Sequence, residues 1–362
     1  MINNTLNDCT QKAILPVLEV TEELISKAIN QIDNISPEVE IVAMPDLGFS
    51  NNVIRMRGGF YTGMYLKWNS NTPFVPVDAT INSCGVSIFL LNESVSYENF
   101  IEKIGLAKNK ICRLGYNWNF ERGNHFIALC RLDDGRHCVA IHASADEYKK
   151  SIPNCSLYPF PGVWYYDDIK VIQSTSVSGR YLRYLSGKPA EKFITVATRL
   201  EDINHKRLNQ VAEMIFGDCI ESEMLYVPHY GMPTETSIAI GCSWKRDQSV
   251  LLTVSSRDFY IISNKAYGNN TIWLTPHGFG AEILSPDVTY ENNDYIISGT
   301  VVRNDDDVRK IKGKGIRCAG LSNVDVELHA KKIIKMCNAK IVYKIHPLMA
   351  VSWNGFQNYN KK

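Results

Sequence analysis

No charge of either sign dominates this chain: Lys and Arg number 39 against 38 Asp and Glu, a formal net charge of +1 over 362 residues. A protein that coats nucleic acid with a broad basic face is more basic than this, so that class is excluded, whereas a local basic pocket is not. Long apolar runs are also missing, with nothing near the roughly 18 uninterrupted apolar residues of a membrane span, so no membrane partner is expected. The opening segment, MINNTLNDCT, has neither the basic start nor the apolar run of a signal peptide, and the cytoplasm is the expected location. The ten cysteines are scattered and include no CxxC pair, which excludes a zinc ribbon or a thioredoxin-type motif. In a reducing compartment most of them are expected to be reduced core residues. Internal repeats, low-complexity tracts and an obvious linker are absent as well.

What is present is ordinary for a globular protein with a sizeable core: 45% hydrophobic and 21% charged residues. The length allows one large or two modest domains, and one domain over residues 1–362 is expected. Helical spacing of apolar residues appears at 17–33 (Leu18, Ile25, Ala28, Ile32), 201–216 (Ile203, Leu208, Val211, Ala212, Ile215) and 323–337. A fourth helix is expected at 96–111, weakened by Gly105. Between these lie short strand-like runs: PEVEIVAM, GVSIFLL, HFIALCRL, HCVAIHA, FITVATRL, VLLTVSS and DFYIIS. The turn DDGR at 133–136 makes HFIALCRL and HCVAIHA a hairpin and would bring His125 and His142 together. Strands and helices interleave without a βαβ rhythm, so a mixed α+β fold is expected.

Histidine is scarce, at eight residues, which makes the position of each one informative. His137, His205 and His329 lie on a charged turn or on polar helix faces, where exposure to solvent suffices as an explanation. His125, His142, His229 and His277 instead sit beside Gly, Pro or small residues at strand ends, where side chains can converge on a pocket. A satisfied core histidine is the plain alternative for each of them. In TPHGFGAEI (275–283), Gly278 and Gly280 leave backbone amides bare beside His277, an arrangement that suits phosphate contact and nucleophilic attack on phosphorus. An ordinary strand-to-loop turn has the same composition. In INSCGVS (81–87) a tight turn carries Cys84, whose thiolate would be a soft metal ligand.

Taken in order, these fragments resemble the RtcB family of RNA-splicing ligases. AMPDLG (43–48) resembles its MPD segment, VPVDATINSCG (75–85) its DxxCG motif, and GNHF (123–126) matches letter for letter. IHAS (141–144) is similar to HSGSRG, VPHYG (227–231) to the HN segment, TPHGFG to HGAGR, and HPLMAVSWNG (346–355) to the C-terminal tail. The resemblance implies an enzyme that joins a 3′-phosphate or 2′,3′-cyclic phosphate RNA end to a 5′-hydroxyl end, as in RNA repair or tRNA splicing. It implies Cys84, His125, His142 and His229 as ligands of a two-metal manganese site, with zinc as the alternative ion. His277 would be the nucleophile that takes GMP from GTP, Asn124 a phosphate contact, and Gly278 and Gly280 points of close approach to the nucleotide. The implied partners are RNA ends and a nucleotide, and a monomer is the expectation with the oligomeric state left open.

The chain departs from that pattern at several charges. Ile81 stands where the family has a metal-binding aspartate, with Asp78 and Asn82 nearby as possible replacements. Ala281 replaces the arginine after HGAG, Ala128 an acid after GNHF, and Trp353 and Asn354 stand near the place of the tail lysine. Two further readings follow: a catalytically impaired paralogue that binds RNA ends, or a metal-dependent nucleotidyl transferase or hydrolase with an altered substrate.

Overall fold

The computed structural model describes residues 1–50, 52–114, 117–145, 154–245, 247–252, 258–263, 274–278, 288–291, 294–303, 305–311, 331, 334, 335 and 338–359. Helices and strands combine in an α+β fold built on two main sheets. The larger has eight strands. Its main path runs Ile220–Pro228, Gly85–Leu91, His137–Ala143, Phe126–Leu132, Lys340–Ser352, Phe259–Ser263, Gln248–Leu251, and Gly355–Asn358 pairs with Lys340–Ser352. Every pairing in it is antiparallel, as hairpins and meanders require. The DDGR hairpin forms as the sequence indicates, with Phe126 opposite His142 and Arg131 opposite His137.

The three central strands, Gly85–Leu91, His137–Ala143 and Phe126–Leu132, are apolar on both faces because both faces are covered. Phe89, Leu91, Ile127, Leu129, Val139 and Ile141 pack toward helices α3 (Tyr97–Arg113) and α4 (Lys188–Phe216). Their alternate neighbours Val86, Ile88, Ala128, Cys130 and Ala140 form a second apolar layer on the opposite face. This is the period-2 alternation of a strand with no wet side. Ala128 is thus a buried strand residue of the sheet core.

The smaller sheet has five strands in the order Ile2–Asn3, Val39–Gly48, Thr62–Trp68, Ser237–Ile240, Tyr230–Thr234. Helix α1 (Cys9–Asp33) lies in the same hydrophobic cluster, burying Ile14, Leu18, Leu24, Ile25, Ala28 and Ile29. It begins well before residue 17, because Asp8 and Gln11 form a reciprocal cap and the apolar stripe already starts at Ile14. The helix therefore runs through the exposed Pro16. A short helix, α2 (Val53–Gly58), follows Asn52, whose side chain accepts from the Ile54 amide at 2.9 Å.

One expected strand is absent. FITVATRL (193–200) lies inside α4, which extends upstream of the 201–216 helix to Pro189 in its first turn. The run Ile194-Thr195-Val196 has strand-like composition. Yet the buried residues Ala190, Phe193, Ile194, Ala197 and Leu200 repeat every three to four positions and continue into Leu208, Val211, Ala212 and Ile215. Packing along that stripe overrides the local β preference of the branched residues. Gly105 is accommodated in α3, where an added Cβ would meet open space. The VLLTVSS strand corresponds to Gln248–Leu251, and its end lies outside the described residues, as does nearly all of 323–337. No helix among the described residues is long and apolar enough to cross a membrane. Among the described cysteines, Cys84, Cys130, Cys138, Cys219 and Cys242 are buried thiols, while Cys9 and Cys112 are exposed.

Candidate metal centre

The two sheets meet at His229. Strand Ile220–Pro228 belongs to the large sheet and Tyr230–Thr234 to the small one, so His229 is the joint between them. Its backbone is fixed from both sides: its amide donates to Cys84 O at 3.0 Å, and its carbonyl accepts from Gly241 at 2.8 Å and Cys242 at 3.2 Å. Cys84 leads into strand Gly85–Leu91 from a tightly curled loop in which Thr80 and Ser83 take left-handed φ values of 41° and 50°. Asn82 Oδ1 steadies the turn by accepting from the Cys84 amide at 3.0 Å. His142 lies near the end of strand His137–Ala143 in register with Val86 and Phe126, which aims it at the same corner.

The ligand atoms converge. Cys84 Sγ is 3.1 Å from His142 Nε2, which is 3.2 Å from His229 Nε2, and the three groups all lie within 4.8 Å of one another. Ligands tetrahedral around a single zinc ion would stand about 3.3–3.6 Å apart, given its usual bond lengths. His125 Nε2 lies beside this trio, 4.0 Å from Cys84 Sγ and 3.2 Å from Ser144 Oγ. Three of the four expected ligands therefore form one compact set, with the fourth at its edge.

Backbone carbonyls orient the imidazoles. His142 Nδ1 donates to Asn124 O at 3.0 Å, and His125 Nδ1 donates to Asn119 O at 3.1 Å. A carbonyl oxygen only accepts, so each Nδ1 carries the hydrogen and each Nε2 presents a lone pair inward. His229 hydrogen-bonds the Val227 backbone, and burial, then the neighbouring His142, His277 and His125, hold its pKa well below the usual imidazole range. It is thus neutral, the form that ligates metals. Lone pairs of His142 and His229 facing each other at 3.2 Å beside a sulfur repel unless a cation or proton sits between them. The residues therefore fit a metal ion, and their sulfur-and-imidazole donor set suits zinc better than manganese.

No carboxylate joins this trio among the described residues. Ile81 is buried in the apolar core. Asp78 does not replace the missing acid, because it is engaged by Arg183, whose Nε donates to both carboxylate oxygens at 3.0 Å.

His277 stands next to the centre, its ring centroid 5.2 Å from that of His229. Its backbone amide donates to Gly241 O and its carbonyl accepts from Leu252 N, which fixes the backbone before the side chain is considered. Asp46 Oδ2 accepts from His277 Nδ1 at 2.7 Å and from the Gly278 amide at 3.3 Å. With Nδ1 donating to the carboxylate, Nε2 is the ring nitrogen turned away from Asp46, the atom a nucleophilic imidazole would use. Gly278 answers to close packing rather than to a nucleotide, since a Cβ there would lie 2.8 Å from Leu252 O. Gly280 lies outside the described residues.

His277, Cys84, His125 and Asn124 line one cavity of about 180 Å³, together with Arg55 and Tyr230. Small-molecule sites commonly enclose roughly 300–1,000 Å³, so this cavity has the scale of a phosphoryl group, and the remainder of a nucleotide would extend beyond it. The sequence pointed to His277 and the four candidate ligands but missed two residues. Asp46 lies in the quoted AMPDLG segment, yet its partner is 231 positions away. Arg55 sits on a short helix outside every motif. The chain matches no family model and no curated protein.

Proposed function

We propose that this chain is a metal-dependent nucleotidyl-transfer enzyme acting on phosphorylated RNA ends, in the manner of the RtcB ligases it resembles. The observation that carries this reading is the position of His277, with Nδ1 held by Asp46 and the ring beside that of His229, in a cavity that Cys84 and His125 also line. Cys84, His142 and His229, with His125 alongside, would hold the metal, which when bound supplies charge neutralisation at phosphate oxygens.

The protein's own groups then account for the first step. His277 Nε2 attacks the α-phosphorus of GTP; the N–P bond forms, the bond to the bridging oxygen breaks, and pyrophosphate leaves with the electron pair. Asp46 stabilises the positive charge that builds on the imidazole as Nε2 becomes bonded. Asn124 lines the same cavity and would contact phosphate there.

Incubation with GTP labelled at the α-phosphate, together with manganese or zinc, should give an acid-labile adduct that resists hydroxylamine. His277→Ala should abolish it while keeping the fold and the metal. If no adduct forms with any of the four ribonucleotides in either metal, this reading is wrong. A second reading draws on the buried Ile81: with no carboxylate in the trio, the centre would hold a single zinc ion and bind phosphate ends without joining them. Metal content separates the two, since joining by the RtcB route calls for two ions and this alternative for one.

A further inference from the structure

Arg55 occupies the wall of the same cavity and is only 4% exposed. All of its hydrogen bonds go to uncharged acceptors: Nε donates to Ala79 O at 3.0 Å and Thr80 Oγ1 at 2.6 Å, and Nη2 to Thr80 O at 2.5 Å. Its Cζ lies over the Tyr230 ring, 4.7 Å from the centroid, a cation–π contact. Nη1 takes part in none of these bonds.

A clamp on the Thr80 loop explains Nε and Nη2. It does not explain a permanent positive charge, because a neutral donor would satisfy the same carbonyls. A guanidinium stays protonated at any physiological pH, and burying it without a counter-charge is costly. Among the described residues, the buried acids of this region are engaged elsewhere, Asp78 by Arg183 and Asp46 by His277. Other cavity groups, such as Asn82 and Asn124, are neutral amides. The site thus holds a fixed cation, with a free donor edge, in a phosphoryl-sized space next to the metal trio.

We propose that Arg55 is the receptor for a phosphate monoester, its Nη1 donating to one phosphoryl oxygen while another faces the metal centre. This rests on the pocket serving phosphoryl chemistry, as proposed above, but it concerns a residue that neither the motifs nor the resemblance indicates. Arginine suits the task because its planar fork can hold the loop and the ligand at once, which a lysine ammonium cannot do with the same geometry.

The test uses the full chain and inorganic phosphate as probe, with and without zinc, followed by calorimetry. Zinc affinity is measured separately by competition with a chromogenic chelator. Arg55→Gln should weaken phosphate binding by about tenfold or more, as expected for loss of one charge-assisted bond, and leave zinc affinity within a few-fold. Arg55→Lys should fall between the two. A 3′-phosphorylated dinucleotide and GTP, run in parallel, identify the source of the phosphate by which of them loses affinity in the variant.

Unchanged phosphate binding in Arg55→Gln, or none by the wild type in either metal state, overturns the assignment. Wild-type protein that takes no zinc but binds phosphate through Arg55 would sink the metal-centre reading and leave this one standing. Should Arg55→Gln fail to fold, the wild-type arginine side-chain NMR spectrum decides. The resonance that Arg55→Lys removes must shift on phosphate addition, and a resonance that stays still overturns the proposal.

Discussion

Single residues set the chemistry of this centre, and Ile81 does so by what it lacks. It lies in the loop that carries Cys84, where an oxygen ligand would harden the donor set toward manganese. Ile81→Asp should raise manganese affinity by about tenfold, measured by calorimetry, and lower the melting temperature of the metal-free protein, because an acid then replaces a buried apolar side chain. Glu201, on α4, shows a different residue-scale effect. Its carboxylate lies against Gly231, where an added Cβ would stand 3.2 Å from Oε2, and burial, followed by the charge of Asp202, pushes its pKa up to about 7. Between the ordinary glutamate value of about 4.3 and about 7, the folded state keeps a proton that the unfolded chain has released. The contribution of Glu201 to stability is therefore complete below that window and is lost as pH rises through it. Thermal melts should show Glu201→Gln gaining on wild type steadily from pH 4.5 to pH 7.5, and a gap that does not grow with pH would refute this origin.

At the scale of elements, α1 carries a residue that opposes it. Pro16 sits in its second turn, exposed, with no amide to donate to the preceding turn. Pro16→Ala should stabilise the protein by about 1–3 kcal/mol in urea unfolding, since no packing is lost and a helix bond is regained. The spacing read at 17–33 caught the apolar stripe from Leu18 onward but not the turns before it, where the Asp8–Gln11 cap and Ile14 outweigh the proline. FITVATRL was misread for a related reason, as eight residues show β-branched composition but not the longer helical repeat that decides the outcome. The hairpin at DDGR and the convergence of His125 with His142 were legible, because turn chemistry and strand period are short-range signals. Asp46 and Arg55 were not, because each meets its partner through contacts between distant segments, which one-dimensional spacing does not encode.

For the whole molecule, the corner where the sheets meet is also where stability and ligation are coupled. Any ion that binds the folded trio and not the unfolded chain stabilises the fold by mass action, by about 4 kcal/mol at a thousandfold excess over its dissociation constant. Treatment with a strong chelator should lower the melting temperature, zinc should restore it more fully than manganese, and Cys84→Ala should abolish both responses. Equal melting with and without metal would show that the trio holds no ion.

The joint at His229 carries a topological consequence. Cys84 and His142 sit at the ends of neighbouring strands of the large sheet, whereas His229 begins the passage into the small one, with α4 in between. An ion gripping all three is a removable crosslink that closes a long loop. If sulfur and imidazole keep hold of it during unfolding, the denatured chain becomes a tethered ring with less conformational freedom to gain, as a disulfide would impose. The protein would then have two unfolded states, one open and one looped, and the supply of metal would decide which of them it refolds from.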